Sequence, residues 1–221
     1  MKNIIVSFFT LLLIVTTFSC SDFSYEAGDS KYSYLTTEFV EAFTNNDTIL
    51  TYGIDDNNKK IKFTNPIKIY WASKPDTLYR ALLYYTKNRN NIVQQIVPIT
   101  VLSIIHTKIK NKKNIHDPVI FESAWISNNR KYLNLGIAIK NGKSIKKSLR
   151  HNIAVICTNK EKINNSKTLW HLSFCHSQNN IPEYYSQKIY LSVPLKNISK
   201  GDNIILTINS YKGIVTRRFN L

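Results

Sequence analysis

Along most of the chain apolar and polar residues alternate one for one, the period of a strand with one buried face. Leu35, Thr37 and Phe39 alternate with Thr36, Glu38 and Val40, and Ile49 to Tyr52 follows a polar Asn45-Asn46 turn. Asp55-Asp56-Asn57-Asn58 is a turn cluster, after which Ile61 and Phe63 alternate with lysines. Leu78 to Tyr85 fits either a helix capped by Asp76 or a strand buried on both faces; its aromatic and leucine content and its neighbours favour the strand. Ile92 to Ile105, with Pro98 inside, reads as one bent or edge-type strand. Five strands within residues 34–106, joined by short turns, predict a small OB-like β-barrel.

The pattern breaks at residues 107–117, a polar, basic stretch closed by Pro118, which marks the linker between two domains. Residues 118–221 then alternate most cleanly. Successive strands run through Val119, Phe121 and Trp125; Leu133 to Ile139; Ile153, Val155 and Cys157; Trp170, Leu172 and Phe174; Ile189 to Leu195; Ile204 to Ile208; and Val215, Phe219 and Leu221. Asn141-Gly142 is a turn signal between the second and third of these. Seven short strands with one apolar face each predict an Ig-like β-sandwich of two antiparallel sheets, and the whole chain is all-β.

The N-terminus follows another rule. Met1-Lys2-Asn3 is a basic head, Ile4 to Phe18 is an apolar run, and Ser19-Cys20 closes it, the order of an export signal over residues 1–19. The run is short for a spanning helix. A small residue followed by Cys resembles the lipobox of bacterial lipoproteins, although Thr17 stands where Leu is commonest. That resemblance implies acylation (palmitate or a similar chain) of Cys20, a lipid anchor in the cell envelope and an outer-membrane address. Residues 20–33 are small and acidic without periodicity, as in a flexible tether.

Charge changes the picture once it is divided. The formal charge is +16, yet residues 20–100 hold nine acids and nine bases while residues 101–221 hold twenty bases and five acids. Lys140, Lys143, Lys146, Lys147 and Arg150 gather in and near one hairpin loop, a candidate anion-binding surface for an acidic glycan, a lipid head group or a surface protein. An even-handed alternative is a solvated face. Export disfavours nucleic acid, and no aromatic platform is interleaved with the basic loop. Tyr184 and Tyr185, after Pro182, are the candidate ligand-contact pair, since flat rings cover apolar sugar faces and keep a polar tip wet.

Catalytic chemistry is scarce. There is no phosphate loop, nucleophile elbow, HExxH or paired CxxC, so no catalytic residue, metal ligand or cofactor is assigned and a non-enzymatic protein is expected. His171, Cys175 and His176 look like a ligand cluster, but on a strand His171 and Cys175 stand about 13 Å apart. His106, His116 and His151 read as isolated. Cys157 and Cys175 fall on opposite strand faces and read as two independent thiols, one of them buried, with a disulfide between them as the alternative.

Asp117-Pro118-Val119, Trp125-Ile126-Ser127, Tyr132-Leu133-Asn134-Leu135, Leu172-Ser173-Phe174-Cys175-His176 and Ile204-Ile205-Leu206-Thr207-Ile208 together resemble the NigD-like lipoprotein family. The resemblance implies an OB-type barrel followed by a β-sandwich, on the envelope of a Gram-negative bacterium. Two departures stand out: the family's His-Asn pair is His176-Ser177 here, and Cys175 replaces a basic residue. The resemblance implies an address and a fold, not a reaction. The expected function is a binding or adhesion module, with an accessory or immunity-type protein of a bacteriocin or secretion system as the alternative.

Overall fold

The computed structural model describes residues 35–86, 91–106, 116–143, 149–164 and 167–221, and every helix or strand among them is a strand. Thr36–Leu221 form one compact unit. The first five strands, β1 (Leu35–Thr44), β2 (Ile49–Asp55), β3 (Lys60–Lys68), β4 (Leu78–Thr86) and β5 (Ile92–Pro98), make a curled sheet in the order β3-β2-β1-β4-β5. Short polar side chains close its turns: Asn45 Oδ1 accepts from the Asp47 and Ile49 amides, and Asp55 Oδ1 from those of Asn57 and Lys59. Val40, Leu50, Phe63, Leu83 and Val93 fill the interior. Leu78 to Tyr85 is a strand, with Ala81, Leu82 and Leu83 buried in succession because both of its faces are covered.

The outer strands β3 and β5 meet through a side chain. Asn65 Nδ2 donates to the Val93 carbonyl at 3.0 Å and its Oδ1 accepts from the Val93 amide at 2.8 Å, so one carboxamide replaces a ladder rung. Asn65→Ala strands both main-chain groups of buried Val93 and is expected to cost about 1–3 kcal/mol. A urea midpoint within error of the parent protein would contradict this.

The sandwich has two sheets. Strands β6 (Thr100–Val101), β7 (Ile104–Ile105), β8 (Ile120–Ile126), β9 (Tyr132–Asn141), β10 (Asn152–Asn164), β11 (Lys167–Ser177), β12 (Tyr185–Pro194), β13 (Asn203–Ser210) and β14 (Gly213–Asn220) assemble as β14-β13-β11-β10-β7 and β6-β12-β9-β8. Leu133, Leu135, Ile137, Leu172, Phe174, Leu191, Ile204 and Leu206 pack between them. Three expectations change. The Ile92–Ile105 run is three strands, because Pro98 has no N–H to continue the ladder; β6 then joins β12 and β7 joins β10, so residues 100–105 extend one edge of each sandwich sheet. The sheets are not purely antiparallel, since β11 and β13 run parallel, with β12 crossing in the opposite sheet between them. And β9 and β10 form no hairpin: β9 pairs with β8 and β12 while β10 pairs with β11 and β7, so the two strands belong to different sheets.

Barrel and sandwich share a polar joint. Arg80 on β4 makes a bidentate pair with Asp56, Nη1 to Oδ1 at 2.7 Å and Nη2 to Oδ2 at 2.8 Å, and donates further to Ser192 Oγ and Asn134 Oδ1. Its guanidinium lies over the Tyr132 ring, 4.3 Å from the centroid. Beside it, Phe39 packs edge-on against Trp125 and Tyr190. Glu41 accepts from Lys131 Nζ and the Tyr132 hydroxyl.

Candidate functional site

One end of the sandwich carries a groove of about 640 Å³, lined by Asp117 and residues 177–183 between β11 and β12. Asn179 and Asn180 both adopt positive φ, 51° and 58°, a conformation that asparagine tolerates better than most residues. The loop is fastened on three sides. The Gln178 amide donates to Asp117 Oδ2 at 2.7 Å, Gln178 Nε2 donates to the carbonyls of Lys140 and Ile181, and Asn179 Nδ2 donates to the Arg150 carbonyl. Gly142 runs so close beneath it that a Cβ there would sit 2.7 Å from the Pro182 oxygen, which is why this position holds glycine. At the rim the Tyr211 hydroxyl donates to Glu183, and Tyr184 and Tyr185 are exposed by 77% and 55%.

Behind the groove two imidazoles meet. His176 is buried, and its Nε2 lies 3.0 Å from His151 Nδ1; the ring centroids are 5.2 Å apart, the spacing of rings that face each other nitrogen to nitrogen. His151 is therefore not isolated, contrary to expectation. The His116 main chain bridges to His176 as well. Two nitrogens aimed at one another do not converge on a third point, so the pair is a hydrogen bond rather than half of a metal cage. Among the described residues no group of three or more His, Cys, Asp or Glu side chains is placed to hold a metal ion. His171 Nε2 instead sits 3.0 Å from Glu161, without hydrogen-bond alignment. Cys157 and Cys175 are free thiols, and it is Cys175 that is buried while Cys157 is partly exposed. Burial pushes both thiols above the ordinary range, so neither is primed as a nucleophile.

The family model described as NigD-like C-terminal beta sandwich domain matches residues 103–221, more than half of the chain. The chain belongs to the NigD-like family. No curated protein matches it in sequence. Among solved structures, a NigD-like immunity protein from Bacteroides caccae is similar over 84% of this chain and 92% of its own, at 20% identity and a TM-score of 0.59. A Parabacteroides distasonis structure described as "Putative TOXIN related protein" covers 84% and 93%, at 18% identity and a TM-score of 0.59. One from Bacteroides fragilis described as "Putative lipoprotein" covers 84% and 96%, at 9% identity and a TM-score of 0.52. At these identities the likeness is one of fold.

In this NigD-like chain several predicted residues gather at the groove. Tyr184 and Tyr185 flank it, Lys140 lies one residue before the end of β9 with its carbonyl bound to Gln178, Arg150 offers its carbonyl to Asn179, and Lys143 is exposed just beyond Gly142. Lys146 and Lys147 lie outside the described residues, as do Cys20, the signal segment, the tether to residue 33 and positions 107–115 of the linker. The groove itself is more acidic than the basic loop suggested, with Asp117 and Glu183 among its lining residues. Neither carboxylate was singled out from the sequence. Asp-Pro at 117–118, a turn-forming pair directly before a strand, was the available signal.

Proposed function

We propose that this NigD-like protein is a non-enzymatic, lipid-anchored binding module of the cell envelope, with the sandwich-end groove as its ligand site. What supports this is the gathering of side-chain amides, two carboxylates and exposed tyrosines around one hydrogen-bonded loop. Amides and carboxylates suit hydroxyl groups, and a tyrosine face suits the apolar side of a sugar ring. The ligand class is a glycan, with Lys143 and Arg150 available to acidic groups on it. Asp117 and Glu183 have structural duties, towards the Gln178 amide and the Tyr211 hydroxyl, which argues against an acid–base pair. The anchor rests on the apolar run and Cys20, and the description of the Bacteroides fragilis relative supports the envelope address. A second reading, an accessory or immunity-type protein of a bacteriocin or secretion system, draws on the description of the Bacteroides caccae relative.

Binding of the mature protein to envelope and host glycans on an array tests the first reading. Tyr184→Ala is expected to weaken retention about tenfold, or ~1.4 kcal/mol, without lowering the melting temperature. Retention that ignores the substitution sinks the groove, and a toxin-like protein recovered in place of any glycan favours the second reading. In cells, Cys20→Ser is expected to abolish fatty-acid labelling and release the protein from the membrane fraction.

A further inference from the structure

The His151–His176 pair has a single consistent proton arrangement. His176 Nδ1 lies 3.3 Å from the Asp117 carbonyl oxygen, so it carries the hydrogen and Nε2 carries the lone pair. His151 Nδ1 then donates to that lone pair, which leaves His151 Nε2 bare, buried and without a partner among the described residues. The opposite arrangement sets a lone pair against a carbonyl and buries an N–H with no acceptor, so it is disfavoured. A further proton therefore has one place to go, His151 Nε2, where the charge is buried with no acceptor among the described residues. Relief requires the ring to swing into water. Arg150 precedes it in the chain, and the Arg150 carbonyl is what holds Asn179 in the groove wall.

We propose that the His151–His176 pair is a proton-sensitive latch on the groove. Neutral, it fastens residues 149–151 to the end of β11 and closes one wall; protonated on His151, it releases that segment and loosens the wall. The latch regulates the proposed ligand site and rests on that reading for its purpose, though not for its chemistry. Asp117, on the segment before β8, and Glu183, on the β11–β12 connection, favour a charged His176, while Arg150, the residue before His151, is exposed. His116 and Lys140 contribute main-chain groups, and neutral Tyr211 is engaged with Glu183. Burial outweighs the two carboxylates at His176, and at His151 burial and the facing imidazole act together, so both rings titrate below the ordinary histidine value of 6.5. The latch is accordingly closed at neutral pH and opens in mild acid.

Hydrogen exchange of the ligand-free mature protein reads the latch directly. After correction for intrinsic rates, amides of residues 149–152 and 177–181 are expected to exchange about tenfold faster near pH 5 than near pH 7.5. His151→Asn keeps a neutral N–H donor at the Nδ1 position, facing His176, and cannot titrate, so the difference is expected to vanish. An unchanged acid response in that variant, or no response in the parent, overturns the latch. In the parent, a His151 ring signal titrating at or above the ordinary histidine value overturns it as well. No ligand enters these measurements, so failure of the latch leaves the glycan reading standing, and loss of the glycan reading leaves the exchange result intact.

Discussion

Replacing Arg80 with alanine is expected to lower the unfolding free energy by about 3–5 kcal/mol, the cost of removing one partner from a buried, hydrogen-bonded ion pair. The side chain of Arg80 is 1% exposed and that of Asp56 15%, so solvent cannot take over the pairing. Removal of the guanidinium also strips a donor from Ser192 and one from Asn134, both fully buried. Arg80→Lys keeps the charge but loses the fork that meets both Asp56 oxygens, and is expected to fall between parent and alanine variant. The double change Arg80→Met, Asp56→Leu removes both charges together and is expected to recover part of the loss. Urea unfolding checks all three, and an alanine variant within about 1 kcal/mol of the parent would show that the joint carries little of the stability.

The joint also marks the limit of what alternation conveys. Asn134 lies between Leu133 and Leu135, and Ser192 between Leu191 and Val193, so a period of two assigns both polar residues to an outer face. That assignment is correct, yet both are fully buried because the barrel covers that face. Periodicity tells which side of a sheet a residue occupies and is silent on what lies there. The same reason explains β1, where Val40 and Ala42 line the barrel while Phe39, on its other face, packs against Trp125 and Tyr190 of the sandwich. Seven sandwich strands were legible because each has a core side. The short β6 and β7 were not, because two residues carry no period and their pairing depends on free edges elsewhere in the chain.

The site was legible in the same uneven way. Tyr184 and Tyr185 could be picked out because they follow Pro182 in a stretch without alternation, and exposed rings there need a reason. The histidine pair could not. His151 and His176 are twenty-five residues apart, and their meeting follows from the register of β10 on β11, in which Asn152 lies opposite Ser177 and Ile153 opposite His176. A bulge or a shift of one residue in that register would separate the rings.

Asp202→Ala is expected to cost about 3 kcal/mol, because this buried carboxylate, in the turn before β13, accepts three hydrogen bonds. Oδ1 takes the Thr168 amide at 2.8 Å, and Oδ2 takes the Trp170 indole and the Ser199 amide, each at 3.0 Å. It thereby ties the start of β13 to the start of its parallel neighbour β11, where no hairpin turn can do so. Asparagine is no remedy: both oxygens are acceptors here, so an amide nitrogen on either side would face an N–H, and Asp202→Asn is expected to be nearly as damaging as alanine. Burial works to raise the Asp202 pKa, but the three donors outweigh it and hold the carboxyl below its ordinary 3.8. With the folded value depressed, the carboxylate's contribution is complete above that ordinary value and is lost as pH falls through the folded one. Urea midpoints followed down through about pH 4 should therefore fall more steeply for the parent than for Asp202→Ala, the two curves drawing together in acid. Parallel curves would mean that the carboxylate's charge does not hold the parallel pair.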